Sequence, residues 1–148
     1  ILLGVFVVCG LLAWGIGYAL VNFLIAINSS AGAASTASDF LANLSTRNYD
    51  RAYDDLDATI TLNLTKDAFR QQAAKDDSCY GLITQFTEVE NSATSSGNTQ
   101  NFTYSITRKN LARPYQLQLT LQKDSSGEWN ITNYGNNNDL GPGQPPCS

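Results

Sequence analysis

The sequence predicts an α+β protein in which an N-terminal transmembrane helix is followed by three short helices and a four-stranded antiparallel sheet. Three observations predict this fold class. Residues 1–27 are almost wholly apolar, the next stretch repeats apolar residues at helical spacing, and the chain beyond residue 82 alternates apolar with polar residues. A 3.6-residue period indicates helices with one buried side, and a two-residue period indicates strands with one buried side.

The apolar N-terminal segment is long enough to cross a bilayer. Residues 1–27 carry no charge and only one strongly polar side chain, Asn22. About 20 apolar residues in a helix span the hydrocarbon core, whereas a cleaved signal peptide has a shorter apolar region after a basic start. We therefore interpret residues 1–27 as a transmembrane helix. Signal-peptide cleavage within the small residues that follow is the alternative.

The charge distribution indicates the side of the membrane on which the rest of the chain lies. All nine Lys/Arg and thirteen Asp/Glu residues come after Ser38, so no basic cluster follows the apolar segment. Basic residues beside a membrane helix favour the cytoplasmic side. We therefore expect a single-pass protein of the cell membrane with a cytoplasmic N-terminus and an extracytoplasmic domain. The net charge of −4 argues against a nucleic-acid partner, which needs a basic surface.

Small residues along the apolar segment predict that it packs against another helix. Lipid tails are as apolar as leucine, so association in the membrane depends on close approach and on interhelical hydrogen bonds. Asn22 would be costly facing lipid and can bond across such a contact. A lone tether is the alternative, because Gly and Ala are common in membrane helices. The predicted helix-packing residues are Cys9, Ala13, Gly15, Gly17, Ala19 and Asn22.

The rest of the chain divides into three parts. Residues 28–38 are small and polar, and they indicate either a linker or a continuation of the helix. Residues 39–134 carry the helical and strand patterns and form the predicted extracytoplasmic domain. Residues 135–148 are rich in Gly, Pro and Asn without periodicity, so we expect an irregular tail.

Within the predicted domain, three helical patterns precede four strand patterns. The first helix contains Phe40, the second runs from Tyr49 to Leu56, and the third follows Thr65 as its cap, with Phe69 on its inner side. The segment between the second and third helices is a predicted connector, and residues 91–100 are a predicted loop. The predicted strands are residues 82–90, 101–108, 113–123 and 128–134.

The polar side of the predicted sheet lacks charge. A solvated sheet face ordinarily includes Lys and Glu, and depletion of charged residues is typical of the centre of an interface. We interpret this side as an interaction face, with a Thr/Gln-rich face that is merely wet as the alternative. Its predicted residues are Thr103, Ser105, Thr107, Gln116, Gln118, Gln122, Asn130 and Thr132.

Two of the three cysteines lie in the predicted extracytoplasmic part. Cys79 precedes the first strand, and Cys147 is in the Gly/Pro-rich tail. Because an oxidising compartment favours disulfides, we expect Cys79 and Cys147 to pair, with two unrelated thiols as the alternative. Cys9 lies in the apolar segment, where a cysteine packs as a small apolar residue.

Three stretches of the domain resemble the nuclear transport factor two-like, cystatin-like superfamily. "ASDFLANLSTRNYDRAYDDL" is similar to its opening helices in membrane-anchored bacterial members, "LTKDAF" to the start of its third helix, and "GEWNITNY" to its closing strand. The resemblance covers residues 34–134 and implies three helices packed on a strongly curved four-stranded sheet, which together form a cone. The superfamily contains isomerases, dehydratases, assembly factors and interaction modules, so fold alone does not choose a function.

The chemistry-bearing residues argue against an enzyme. The chain has no histidine, no phosphate-binding glycine loop and no metal-ligand spacing of cysteines, so we expect no cofactor or metal. Enzymatic members of the resembling superfamily place an Asp base with Tyr or His inside the cone. The candidates here are Asp54, Asp55 or Asp57 with Tyr53 or Tyr104. The aspartate spacing is more typical of a solvated helix side, so we expect no catalytic residues.

The sequence therefore predicts a membrane protein whose extracytoplasmic domain is a non-enzymatic binding or accessory module, such as a small subunit of a larger membrane complex. The expected partners are other membrane-protein subunits or further copies of the chain, contacted through the transmembrane helix and the sheet face, together with membrane lipid. The alternative is small-molecule binding or isomerase-type activity in the cone.

Overall fold

The computed structural model describes residues 31–145, which form an α+β domain with an open antiparallel sheet. The α+β class is confirmed for this part of the chain. Residues 1–27, with all the predicted helix-packing positions, lie outside the described residues, and so does Cys147. Across residues 31–145, no helix combines the length and the apolar character needed to cross a membrane.

Four helices precede five strands in the described residues. The helices are α1 (residues 31–45), α2 (Tyr49–Asp54), α3 (Ala58–Thr61) and α4 (Lys66–Tyr80). The strands are β1 (Ile83–Glu88), β2 (Thr94–Ser96), β3 (Thr99–Arg108), β4 (Tyr115–Lys123) and β5 (Trp129–Tyr134). The sequence predicted either a linker or a helix for residues 28–38. In the structure, residues 31–38 of this segment are helical and belong to α1.

The sheet has the order β1-β3-β4-β5, and β2 pairs with the beginning of β3. All these pairs are antiparallel. The prediction of four strands was wrong, because β2 lies within the predicted loop 91–100. Its three residues are all exposed, so they carry no alternation of apolar and polar side chains. Backbone pairing across the turn at Gly97 forms this strand without burial.

The connector before α4 also differs from the prediction, because it contains the short helix α3. The Asp57 side chain caps this helix by accepting a hydrogen bond from the Thr59 amide at 2.8 Å. Four residues are too few to show a helical period in the sequence. The cap predicted for the next helix is confirmed, since the Thr65 hydroxyl accepts from the Ala68 amide at 3.2 Å.

The core lies between the helices and one side of the sheet. Along β3 every second residue is buried, as the alternation of the sequence predicts. The rings of Phe40, Phe69 and Tyr134 contact one another with centroids 5.8 to 6.4 Å apart, and they join α1, α4 and β5. Burial of such rings supplies much of the hydrophobic stabilisation of a small domain.

The residues after β5 pack against the domain although they contain no helix or strand. We call residues 135–145 the C-terminal segment. Leu140 is only 1% exposed. The Gln72 amide donates to the Asn138 carbonyl at 3.1 Å, and the Tyr80 hydroxyl donates to the Pro145 carbonyl at 2.9 Å. The segment is therefore fixed along α4.

Candidate functional site

The predicted interaction face lies on the side of the sheet opposite the core. Thr103 pairs with Gln118, and Ser105 pairs with Gln116, in the register of β3 and β4. The Gln116 and Gln118 side chains are exposed. Side chains alternate between the two sides of a strand. The cross-strand pairs next to a buried pair must therefore point away from the helices. The register of β3 and β4 therefore places the predicted interaction residues of these two strands on the same side of the sheet.

The register adds further members to this side of the sheet, which we call the outer face. Gln85 and Thr87 on β1 pair with Thr107 and Ser105, and Asn133 on β5 pairs with Thr120. None of the side chains on the outer face carries a charge. The outer face consists of Gln85, Thr87, Thr99, Asn101, Thr103, Ser105, Thr107, Gln116, Gln118, Thr120, Gln122, Asn130, Thr132 and Asn133.

Some outer-face side chains bond to one another or to the backbone beneath them. The Thr120 hydroxyl contacts the Asn101 amide oxygen at 2.8 Å, and the Thr132 hydroxyl donates to the Thr120 carbonyl at 3.2 Å beside a bulge in β5. The charged residue in the groove beside Gln118 is Asp139 of the C-terminal segment, which lines the groove together with Gln118. The face itself therefore carries no charge, and Asp139 lies beside it.

A second candidate site is a buried polar network between α4 and the sheet. Arg108 is 3% exposed. Its Nη1 donates to Asp77 Oδ1 at 2.9 Å and to the Gly81 carbonyl at 3.0 Å, and its Nε donates to Tyr115 Oη at 2.9 Å. The guanidinium therefore satisfies three acceptors with its fixed fork of donors.

The network continues from Arg108 to α2 in one direction and to the C-terminal segment in the other. Tyr49 Oη on α2 donates to Asp77 Oδ2 at 2.5 Å. Burial, followed by the Asp77 carboxylate, raises the pKa of Tyr49 to about 12. On the other side, Tyr115 Oη donates to the Leu140 carbonyl at 2.6 Å. One chain of contacts thus connects α2, α4, β3 and β4 with the C-terminal segment.

Two buried oxygens next to this network have no hydrogen-bond partner in the described residues. They are Asp76 Oδ2 and Tyr134 Oη. Burial raises the pKa of Asp76 to about 6. The positive charge of Arg108 opposes this rise, and the carboxylates of Asp139 and Asp77 add to it. Asp76 also lines a groove of about 530 Å³ between α4 and the C-terminal segment. Buried polar atoms usually have a partner, so Asp76 Oδ2 is a candidate contact for a small polar ligand in this groove.

The aspartates considered as catalytic candidates do not converge. Asp54 is exposed and pairs with Lys66 at 2.5 Å, and Asp57 caps α3. Asp55 is half-buried with an unpartnered Oδ2. Burial, and then the Asp39 carboxylate, raises the pKa of Asp55 to about 6.

The tyrosines considered with them have other contacts. Tyr53 Oη donates to the Leu64 carbonyl at 2.7 Å. Tyr104 is 5% exposed, and its ring packs with the rings of Phe86 and Phe102. Burial and the Glu88 carboxylate raise the pKa of Tyr104 to about 12. Tyr53 and Asp54 share only the exposed Lys66, which pairs with Asp54 and lies over the Tyr53 ring.

The network residues were missed by sequence reasoning, although one signal pointed to Arg108. Phe102, Tyr104 and Ile106 alternate inward along β3, and Arg108 continues the same phase. A charged residue in the inward phase of a strand needs a buried partner. That partner is Asp77 on α4. Its position in the sequence is typical of the solvated side of a helix, so the sequence does not indicate that it is buried.

The described part of the disulfide candidate is consistent with the predicted pairing. Cys79 lies in the last turn of α4, next to Tyr80, whose hydroxyl holds Pro145. The chain therefore passes this end of α4 two residues before Cys147. Since Cys147 lies outside the described residues, the pairing stays a prediction.

Neither a metal site in the described residues nor a similarity to known sequences indicates what the domain does. Among residues 31–145, no group of three or more His, Cys, Asp and Glu side chains could hold a metal ion. No protein-family model matches the chain, and no curated protein is significantly similar to it in sequence. The resemblance to the nuclear transport factor two-like superfamily therefore remains an interpretation.

Proposed function

We propose that this chain is a single-pass membrane protein whose extracytoplasmic domain has the nuclear transport factor two-like fold and serves as a non-enzymatic interaction module. In this proposal it is a small subunit of a larger membrane assembly. The uncharged apolar segment 1–27 and the position of every charge after Ser38 support the anchor and the orientation.

The observation that carries the proposal is the outer face. It combines exposed amides and half-buried hydroxyls without a single charge, and Asp139 lies beside it. Depletion of charge at the centre and a polar rim are the compositional features of protein interfaces. The interior supports the same conclusion, because apolar side chains fill it and the polar network satisfies most of its own groups.

The size of the assembly tests this proposal. The full chain is extracted in mild detergent, and the protein mass of its complex is measured by light scattering. We expect a mass greater than one chain for the wild type and a lower mass for Gln118→Lys. Gln71→Lys is the matched control, because Gln71 is exposed on α4, away from the outer face. A single-chain mass for the wild type, or equal masses for all three proteins, would contradict the proposal.

The second candidate is small-molecule binding or isomerase-type chemistry inside the domain. The unpartnered Asp76 Oδ2 favours it, since a ligand in the groove that Asp76 lines could bond to this oxygen. Isomerisation of steroid and enoyl substrates by wild type, Asp76→Asn and Asp55→Asn would test it. Activity that disappears in one of these variants, with a thermal midpoint no lower than that of the wild type, would replace the interaction module with an enzyme.

A further inference from the structure

We infer that the outer face binds the same face of a second copy of this chain, across a two-fold axis near the Thr103–Gln118 pair. This inference rests on the proposed function and names the partner. The pair lies at the middle of the two central strands, since the sheet order is β1-β3-β4-β5. A two-fold axis there would place each Gln118 close to its own symmetry mate.

Charge favours the outer face over the charged surfaces of the domain as the place where a second copy binds. The chain has a formal net charge of −4, so two copies repel each other in general. Like charges that meet in a contact are destabilising. The outer face carries no charged side chain of its own, so a contact between two copies there brings together fewer like charges than a contact through the other surfaces, with Asp139 beside Gln118 as the nearest charge.

Hydrogen-bonding chemistry also favours a second copy of the chain as the partner of the outer face. Every outer-face side chain is Thr, Ser, Asn or Gln, and each of these has both a donor and an acceptor. A surface of this kind can satisfy an identical surface in a two-fold arrangement, because donors on one copy meet acceptors on the other. An apolar partner would instead leave amides or hydroxyls unpaired, which costs free energy.

The size of the face predicts a weak contact that depends on the membrane. Four strands about 4.8 Å apart and about eight residues of 3.3 Å each give an area on the order of 500 Å² per copy. Stable complexes bury about 800 Å² per partner. Attachment of both copies to one bilayer raises their effective concentration, and the predicted small-residue side of segment 1–27 would add a second contact.

The test uses charges of opposite sign at one position. The full chain, labelled at its N-terminus with a donor or an acceptor dye, is reconstituted in neutral lipid vesicles, and energy transfer is measured as the protein is diluted with lipid. We expect Gln118→Lys alone and Gln118→Glu alone to weaken association about tenfold, since like charges then meet at the axis. An equal mixture of the two variants should restore transfer to at least the wild-type level.

The control pair is Gln71→Lys and Gln71→Glu, for which single variants and mixture should all match the wild type. Thermal midpoints establish first that every variant is folded, and Thr103→Lys with Thr103→Glu repeats the test on the neighbouring strand. Wild-type transfer in both single variants would overturn the inference. Weakened transfer that the mixture does not restore would also overturn it. The proposed function stands in either case if the light-scattering mass of the wild type exceeds one chain and that of Gln118→Lys is lower, because a partner other than a second copy would then occupy the face.

Discussion

Arg108 and Asp77 form a charged pair with 2.9 Å between Nη1 and Oδ1, and both side chains are almost excluded from solvent. A buried pair contributes little when compared with well-packed apolar residues, but the loss of one partner leaves the other charge uncompensated. The pair also fixes the position of the Tyr115 hydroxyl, and through it the C-terminal segment. Its main effect is to hold several elements in one arrangement.

Arg108→Met should destabilise the domain by about 3 to 5 kcal/mol, because the buried Asp77 carboxylate would lose its nearest cation. The double variant Arg108→Met, Asp77→Leu should recover part of that loss, since neither charge of the pair then remains without its partner. Urea unfolding of the three proteins measures the difference. Arg70→Met is the control for an exposed cation and should leave the midpoint nearly unchanged. A double variant that is less stable than Arg108→Met alone would contradict the expected coupling.

The domain should be more stable at pH 5 than at pH 7.5. Asp55 and Asp76 have folded-state pKa values of about 6, above the value of about 3.9 for an unfolded aspartate. Between these values the folded state binds more protons, so stability falls as pH rises from 4 to 6. After a discount for solvent screening, the effect is about 1 kcal/mol per group.

Thermal midpoints at the two pH values check this prediction. Asp55→Asn and Asp76→Asn should each reduce the difference between pH 5 and pH 7.5. The groups that oppose or support the shift of Asp55 are Asp39, Arg51 and Asp54, and those around Asp76 are Arg108, Asp139, Asp77 and Lys75. A midpoint that is the same at both pH values, or higher at pH 7.5, would show that these carboxyl groups are not shifted upward.

Gly135→Ala should destabilise the domain more than Gly97→Ala. Both glycines have a left-handed backbone, with φ of 56° and 58°. A Cβ at Gly135 would collide with the carbonyl oxygen of Asp139, whereas a Cβ at Gly97 meets nothing within 4 Å. The Gly97 variant should lose about 1 kcal/mol from backbone strain alone. Equal losses in chemical denaturation would mean that the turn after β5 relaxes around the new methyl group.

Cys79 and Cys147 should be recovered as one disulfide-linked pair of peptides from protein kept in an oxidising compartment. The bridge would close a loop of roughly 70 residues and stabilise the domain by about 4 kcal/mol in the chain-entropy model. Non-reducing peptide mapping measures the linkage. Full alkylation of both thiols before reduction is the result that would exclude it.

Sequence reasoning worked best where one physical pattern determined the structure locally. The alternation along β3 and β4 located the sheet, because each strand has one buried and one exposed side. It failed for β2, whose residues are all exposed, and for the four-residue α3. The Arg108 network was missed for another reason. Asp77 acquires its partners only when chain segments 28 and 31 residues away come together, so no local pattern reveals it.

The anchoring of the C-terminal segment has a consequence for biosynthesis. The strands β1 to β5 are complete once Tyr134 has been synthesised, but three side-chain donors still lack their acceptors. Gln72, Tyr115 and Tyr80 find these acceptors only at Asn138, Leu140 and Pro145. Nascent chains that stop after β5 would therefore contain a complete sheet but lack these three hydrogen bonds and the buried Leu140. Synthesis through the C-terminal segment is therefore a condition for a stable domain, and products truncated after β5 should be left open to quality-control proteases.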